Sequence, residues 1–385
     1  MRWYIKRRQF NMRTRKIVFS IITLMVPILF LEIALQLYYH ITTGSYVFNR
    51  AAIPIYESDD VRYYRVKPNL SYHQQTNEFD VIYYTNNQGL RSDHLKKDIT
   101  IDKGDHIYRI LFLGPSFTFG WGNNYEDMYV TLIANSITVK GKEVEIMNLG
   151  TPAQPMNAQL CWLRKTGYKF KPDMIIQTVY GDPLNVATNC SPISPAPKVK
   201  DGYLYMGDSW VPSFLKNSAI VFYGWSIFIF CKSRTPLGLG TELYEHATDP
   251  TQMVTDPEGT VKKYRDYIDF VRKTVSMDIP VVFIYIPFSY TVRPSDAIRW
   301  ELRQQGGLPG DLRVLREKAK VVCELLAKRH IPFVNPTDEL VLKDQERRMY
   351  YFLDVHFTPA GNKIVAEQAI PVIREVLKDE SPISK

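Results

Sequence analysis

A serine, a histidine and an aspartate in this sequence could together carry out acyl transfer. Ser116 stands in the segment ILFLGPSFTFGWG, whereas Asp354 and His356 share the segment LDVHFTPAG near the C-terminus. A serine hydroxyl is a good nucleophile only when a neighbouring imidazole takes its proton, and that imidazole needs an acceptor to fix its tautomer and stabilise its cation. We therefore predict Ser116 as nucleophile, His356 as general base and Asp354 as the group that orients the histidine.

The oxyanion of such a reaction needs preorganised hydrogen-bond donors. The backbone N–H groups of Ser116 and of Gly150, which ends the segment EVEIMNLG, are the candidates, and Asp182 is a possible further polar group of the site. This chemistry requires no metal and no cofactor. The cysteines show neither a CxxC spacing nor a paired Cys/His cluster, so a structural zinc site is not expected.

These candidates follow apolar runs that predict strands buried on both faces. The runs are IYRILFLG, EVEIMNLG, MIIQTVYG, PVVFIYIP and IPFVNP. Segments with helical spacing lie between or after them, at 128–137, 156–169, 261–275, 312–329 and 359–377. Strands that alternate with helices predict an α/β fold with a mainly parallel sheet, and ligand-binding groups gather at the carboxyl ends of such strands. The candidate residues should therefore meet at one edge of the sheet.

From Tyr108 to about Leu377 the chain resembles the SGNH (GDSL-type) hydrolases, a family of serine esterases, lipases and acyl transferases. ILFLGPSFTFGWG is similar to the family's first block, IMNLGTPAQ to the second and YFLDVHFTPAGNKIVAE to the last. The resemblance implies a flavodoxin-like three-layer sandwich with a five-stranded sheet. It also implies the roles given above to Ser116, Gly150, Asp354 and His356.

Two positions depart from the family pattern. Pro115 stands where the first block has an aspartate, and Gly181-Asp182 stands where the third block has Asn-Asp. An ionised aspartate cannot donate the hydrogen bond that the asparagine amide would give to the oxyanion, and the loss of one such donor lowers the rate by about 10²–10³. Asn185 is the candidate that would replace it.

The N-terminal region predicts a membrane anchor. Residues 1–16 form a basic tail with seven Lys or Arg, and removing these from the total of 48 leaves 41 basic residues against 40 acidic ones. The apolar stretch at 17–38 is long enough to cross a bilayer as a helix. The preceding positive charge predicts a cytoplasmic N-terminus and an extracytoplasmic catalytic domain. Since the rest of the chain is nearly neutral, a nucleic-acid partner is not expected.

Beyond the anchor, we expect an extracytoplasmic β-rich connector at 39–105 and a hydrolase-like domain at 106–380, with an insertion at about 190–259. The insertion contains KDGYLY, a hairpin signal, and the 13-residue aromatic run 219–231, which is too short for a second span. The anchor, the connector and the insertion are similar to those of bacterial membrane-anchored members of the family. Four cysteines outside the membrane permit one or two disulfides, with three fully paired connectivities.

Three functions fit these features. The first is a membrane-anchored serine esterase that hydrolyses an acyl ester, acetyl or another short chain, on an extracytoplasmic glycan or lipid. The second is an O-acyltransferase that uses the same residues to modify an envelope polysaccharide beside a membrane-bound acyl donor protein. The third is a catalytically impaired binding or scaffold protein, which the two motif departures favour.

Overall fold

The computed structural model describes residues 2–43, 46–47, 53–181, 188–191, 196–205, 217–224, 257–293, 312–352, 354 and 356–379. They fall into two compact units. One comprises the N-terminal helix with residues around 217–224, and the other comprises the β-rich segment and the α/β core.

The α/β core is built on a parallel sheet of five strands. In chain order these strands are β6 (Ile107–Leu113), β7 (Glu143–Asn148), β8 (Met174–Tyr180), β11 (Val281–Ile286) and β12 (Phe333–Val334). They lie side by side in the order β7-β6-β8-β11-β12, and every pairing is parallel. This is the flavodoxin-like order, so the predicted fold class is confirmed, with a strand at each of the five predicted runs.

Helices cover both faces of this sheet. One face packs on α4 (Met156–Lys165), α5 (Pro257–Thr274) and α7 (Leu312–Ala327), and the other on α3 (Tyr129–Ser136), α8 (Thr337–Asp344) and α9 (Pro359–Asp379). Side chains of β6 alternate between the two cores: Leu111 and Leu113 join one, and Ile110 and Phe112 join the other. The continuous apolar character of the central strands follows from this double burial.

The β-rich segment forms two small antiparallel sheets. Strands β1 (Tyr56–Asp59) and β2 (Tyr63–Val66) make one hairpin, and β3 (Ser71–Gln75), β4 (Asp80–Thr85) and β5 (Arg91–Ser92) make a three-stranded sheet. The KDGYLY segment forms the predicted hairpin, with β9 (Lys198–Lys200) and β10 (Tyr203–Tyr205). The core of the β-rich segment also contains Phe119 and Trp121, which belong to the loop of Ser116. The segment is therefore part of the surroundings of the candidate site.

The N-terminal helix α1 spans Arg2–Thr43 and so extends beyond the predicted span at both ends. Its portion Arg15–Ile41 is long and apolar enough to cross a membrane. Lys and Arg are good helix formers and no glycine or proline separates the basic tail from the apolar stretch, which explains why the helix continues into the tail.

Two polar residues of α1 bind the segment 217–224. The Glu32 carboxylate accepts hydrogen bonds from Ser218 Oγ (2.7 Å) and from the backbone N–H groups of Ala219 (2.7 Å) and Ile220 (3.0 Å). The Gln36 side chain donates to the carbonyl of Asn217 at 2.9 Å. Of the aromatic run 219–231, residues 219–224 are helical and the remainder lies outside the described residues. Gln36 Nε2 also donates to Glu32 Oε1 at 2.8 Å, so a charge that is unfavourable in an apolar helix has four donors of its own chain.

A disulfide joins Cys161 of α4 to Cys190 at the start of the insertion. Cys323 has no disulfide partner among the described residues, which do not include Cys231. The sequence permits one or two disulfides, and one is present in the part of the chain that the structure describes.

Candidate active site

Ser116 lies at the carboxyl end of the central strand β6. The chain leaves Leu113, turns through Gly114 and Pro115, and enters the four-residue helix α2 (Ser116–Phe119). Gln159 of α4 holds this turn, because its side chain donates to the Gly114 carbonyl (2.7 Å) and accepts from the Gly114 N–H (2.6 Å). A side chain at Gly114 would collide with Thr118, so the turn requires glycine. The hydrogen bonds of Gln159 and the close approach of Thr118 therefore hold the backbone at Gly114, just before Ser116, in place.

The structure brings Ser116, His356 and Asp354 together. His356 Nε2 lies 2.5 Å from Ser116 Oγ, and His356 Nδ1 lies 2.5 Å from Asp354 Oδ1. The same carboxylate oxygen accepts the backbone N–H of His356 at 2.9 Å, which shows the bend that lets residues two apart face each other. Since an ionised carboxylate only accepts, the proton belongs on Nδ1, and Nε2 is the acceptor for the serine hydroxyl. This is the arrangement of a nucleophile, a general base and an orienting acid.

Aromatic rings surround the imidazole. The ring centroid of His356 is 4.8 Å from that of Phe117 and 5.8 Å from that of Trp121, both of which are buried. The side chain of His356 itself retains 12% of its exposure. Such a partly dry setting strengthens charge interactions at the histidine while leaving it open to a substrate.

The serine loop and the histidine loop are tied directly to each other. Asn123 donates through its side-chain amide to the carbonyl of Phe357 (2.8 Å) and to that of Trp121 (2.9 Å). Tyr351 donates its hydroxyl hydrogen to the Gly122 carbonyl at 2.8 Å. The contacts of Asn123 with Phe357 and of Tyr351 with Gly122 join residues more than 200 positions apart, and they hold the nucleophile close to the base.

A second buried hydrogen-bond chain lies behind α2. Thr118 Oγ1, Tyr129 OH and Thr178 Oγ1 are linked at 2.8 and 2.7 Å. Burial raises the pKa of Tyr129 to about 12, so its hydroxyl stays protonated and available for this chain at neutral pH. No sequence pattern indicated these residues or Gln159, because each acts through partners that are distant in sequence.

The predicted oxyanion donors differ in their availability. The backbone N–H of Ser116 has no acceptor among the described residues. The N–H of Gly150 donates to Asn148 Oδ1 at 2.9 Å, so it would have to leave that partner to serve an oxyanion. Asp182 and Asn185 lie outside the described residues. Of the predicted oxyanion donors, the backbone N–H of Ser116 is therefore the one without a competing acceptor among the described residues.

Gly181 explains the departure from the family pattern in packing terms. It has a left-handed φ of +58°, and a Cβ at this position would collide with the ring of Phe288. Phe288 also packs edge-on against Tyr180, with ring centroids 5.0 Å apart. The space that an asparagine side chain would need at residue 181 is thus occupied by an aromatic ring.

Among the described residues, no group of three or more His, Cys, Asp or Glu side chains could hold a metal ion.

Comparison with protein-family models finds no match, and comparison with curated proteins finds none either. Solved structures of similar fold include a member of the lipolytic G-D-S-L family from Veillonella parvula, at 12% identity and TM-score 0.36, which covers 70% of this chain and 98% of that one. A lipase/acylhydrolase from Enterococcus faecalis is similar at 15% identity and TM-score 0.39, covering 72% of this chain and 100% of that one. An acetylxylan esterase from Geobacillus stearothermophilus is similar at 12% identity and TM-score 0.36, covering 69% and 94%. At such identities and TM-scores these proteins do not inform the activity of this chain, which is argued below from its own site.

Proposed function

We propose that the protein is a serine esterase that hydrolyses an acyl ester through a covalent acyl-Ser116 intermediate. The observation that carries this proposal is the contact series from Ser116 Oγ to His356 Nε2 and from His356 Nδ1 to Asp354 Oδ1, each 2.5 Å long. Such a series increases the nucleophilicity of a serine hydroxyl and serves no obvious structural need at a strand end.

The reaction divides into two halves. Ser116 Oγ attacks the ester carbonyl while His356 Nε2 takes the hydroxyl proton, and the Ser116 N–H donates to the oxyanion, with Gly150 and Asn185 as further proposed donors. The imidazolium then gives the proton to the leaving alcohol, and the acyl group remains on Ser116. Water repeats the attack with the same proton route and releases the acid. Asp354 keeps the proton on Nδ1 and stabilises the imidazolium in both halves.

We propose a short acyl ester on an extracytoplasmic glycan or lipid as substrate. The apolar portion of α1, Arg15–Ile41, supports a single-pass anchor, and the basic residues before it support a cytoplasmic N-terminus with the site on the other side. The Cys161–Cys190 disulfide supports an oxidising compartment for the α/β core.

The test is covalent labelling with a fluorophosphonate probe in parallel with turnover of a nitrophenyl acetate. Wild type should label on Ser116 and release nitrophenol, and Ser116→Ala should do neither. Unchanged turnover in Ser116→Ala would end the proposal, and failure of folded wild type to label would instead favour a binding or scaffold role.

Transfer of the acyl group to a sugar hydroxyl is the second candidate, because the anchor helix would keep the site beside a membrane-bound acyl donor protein. Water and sugar compete for the same acyl-serine. Incubation with an ester donor and an oligosaccharide distinguishes the two, since a transferase yields acylated sugar faster than free acid and a hydrolase does not.

A further inference from the structure

The turn between β3 and β4 reaches the loop that carries Asp354 and His356. Glu78 stands in this turn, which is made rigid by the Thr76 hydroxyl: Thr76 Oγ1 accepts the backbone N–H groups of Glu78 and Phe79, both at 3.1 Å. Phe79 is buried, and its ring packs against that of Tyr351 with centroids 5.2 Å apart. The turn is therefore held against the histidine loop by packing as well as by its own hydrogen bonds.

The Glu78 carboxylate bridges two amides of that loop. Glu78 Oε2 accepts the backbone N–H of Asp354 at 2.8 Å, and Glu78 Oε1 accepts the backbone N–H of Phe352. Both amides precede the side chain that orients His356. A carboxylate that accepts two backbone N–H groups makes charge-assisted bonds, which are about twice as strong as neutral ones. Glu78 is thus placed to fix the backbone from which the Asp354 side chain extends.

The charge of Glu78 adds a second effect. A negative group close to Asp354 and His356 favours the imidazolium that forms when Ser116 gives up its proton. The ionisable or charged groups around this part of the site are Asp354, Glu78, Asp127, Arg91, Arg348, Tyr83, Tyr180 and Tyr351. Burial is the largest cause that raises the pKa of each of these three tyrosines, so they are neutral. The local charge is therefore set by the carboxylates together with the guanidinium groups of Arg91 and Arg348.

We propose that Glu78 is a positioning residue for the Asp354–His356 pair, supplied by the β-rich segment rather than by the α/β core. It acts on the reaction through the backbone of Asp354 and through its charge. This inference rests on the proposed function only for its kinetic consequences, because Glu78 binds the amides of Phe352 and Asp354 whether or not Ser116 reacts.

The kinetic test is the rate at which a fluorophosphonate labels Ser116, measured against pH in the full-length protein in detergent. Glu78→Gln keeps the size of the side chain but removes the charge and one acceptor, so labelling should slow by at least about fivefold. The acid limb of its pH profile should move to lower pH, because loss of a nearby negative charge disfavours the imidazolium. Glu78→Asp keeps the negative charge but has a shorter side chain that cannot bridge both amides. It should therefore label slowly, with the acid limb of its pH profile near the wild-type position.

Asp60→Asn is the matched control, since Asp60 is an exposed carboxylate of the same β-rich segment, and it should match wild type in both measurements. Hydrogen exchange of the peptide covering 349–358 supplies a readout that needs no reactivity. Exchange there should be faster in Glu78→Gln than in wild type and in Asp60→Asn. The proposal would be overturned if hydrogen exchange in Glu78→Gln were as slow as in wild type, or if Glu78→Gln lost the same fraction of its labelling rate at every pH. A wild-type protein that shows the expected slow exchange but never labels would count only against the proposed function.

Discussion

At the scale of single residues, packing determines which side chain position 181 can carry. The pattern that the sequence resembles has an asparagine at this position, and the structure has a glycine with φ +58° beneath the ring of Phe288. Asparagine itself tolerates the left-handed region better than most residues. The obstacle to an amide here is therefore the aromatic ring and not the backbone.

Gly181→Asn should accordingly destabilise the protein rather than restore a donor. We expect a loss of about 1–3 kcal/mol in the free energy of unfolding, which is typical of overpacking in a filled site. Phe288→Ala should relieve much of this penalty in the double variant, so that the two effects are strongly non-additive. Urea denaturation of the four proteins in the cycle measures the coupling, and simple additivity of the two single changes would contradict this explanation.

The residue scale also shows what the sequence could and could not predict about the site. Ser116 was predicted because it follows a recognisable strand, and Asp354 and His356 were predicted because they share one short motif near the C-terminus. Gln159 and Glu78 were not, because each holds the site through backbone groups, and nothing in a glutamine or a glutamate marks a partner 45 or 276 positions away. Such contacts depend on how the elements fold back on one another.

At the scale of secondary structure, Arg91 joins the β-rich sheet to the loop of Ser116. It is 2% exposed, donates to the carbonyls of Ser92 (3.0 Å) and Asn123 (3.2 Å), and lies over the rings of Tyr83 and Phe119. Burial lowers the pKa of Arg91 to about 10, so it is still charged at neutral pH. A guanidinium in this place connects two elements that otherwise share mainly aromatic contacts.

Arg91→Leu should lower the free energy of unfolding by about 2–4 kcal/mol, because several buried carbonyls lose their donor. Arg65→Leu is the control: its side chain is 32% exposed and pairs with Glu57. A change below about 1 kcal/mol is expected there, as for other surface ion pairs. Chemical denaturation in detergent checks both, and equal losses in the two variants would contradict the role given to Arg91.

The turn between β1 and β2 depends on the charge of Asp59. Burial raises the pKa of this carboxyl, but the attraction and hydrogen bonds of Arg62 outweigh it, so the net shift is downward from 3.8. The ion pair is 3.0 Å long between Arg62 Nη2 and Asp59 Oδ2. The stability that it adds is therefore fully present above about pH 4 and is lost as the pH falls through the lowered pKa of the folded state.

Asp59→Asn should be less stable than wild type by about 1–3 kcal/mol at pH 7, because it leaves Arg62 without its counter-charge. This difference should shrink as the pH falls below 4, where wild-type Asp59 also becomes neutral. Denaturation curves of both proteins between pH 3 and pH 7 are the measurement. A difference that stays constant over this range would show that charge is not the cause.

At the scale of the whole molecule, the sequence predicted the strands and helices of the α/β core more completely than the contacts between separate parts of the chain. Five apolar runs became the five strands, and the pattern is strongest for β6, β8 and β11, which are buried along almost their whole length. The end of α1 differed from the predicted span, since helix propensity carries the helix through the basic tail from Arg2. The packing of the β-rich segment against the serine loop had no signal in periodicity, because it depends on contacts such as that of Tyr83 in β4 with Phe119 and Trp121, which join elements remote in sequence.

The Cys161–Cys190 disulfide constrains a long stretch of the chain. It closes a loop of sequence separation 29 between Cys161 and Cys190, and that loop contains β8 and the segment with Asp182 and Asn185. Cys161→Ser should therefore destabilise the protein by about 2–4 kcal/mol, as expected for a loop of this size. Cys323→Ser, the matched control, should have a much smaller effect. Thermal unfolding with and without reductant checks both, and a wild type that reductant leaves unchanged would contradict the prediction.

The contact of Glu32 with residues 218–220 also has a consequence in time. Glu32 and Ser218 are separated by 186 positions, and at synthesis rates of about 5–20 residues per second the second partner emerges roughly 10–40 s after the first. Under the proposed topology, α1 is delivered to the bilayer long before its carboxylate can meet those donors. Until those donors emerge, Glu32 has the Gln36 amide, four residues along the same helix and 2.8 Å away, as its hydrogen-bond donor, and the anchor gains its remaining polar contacts only late in synthesis.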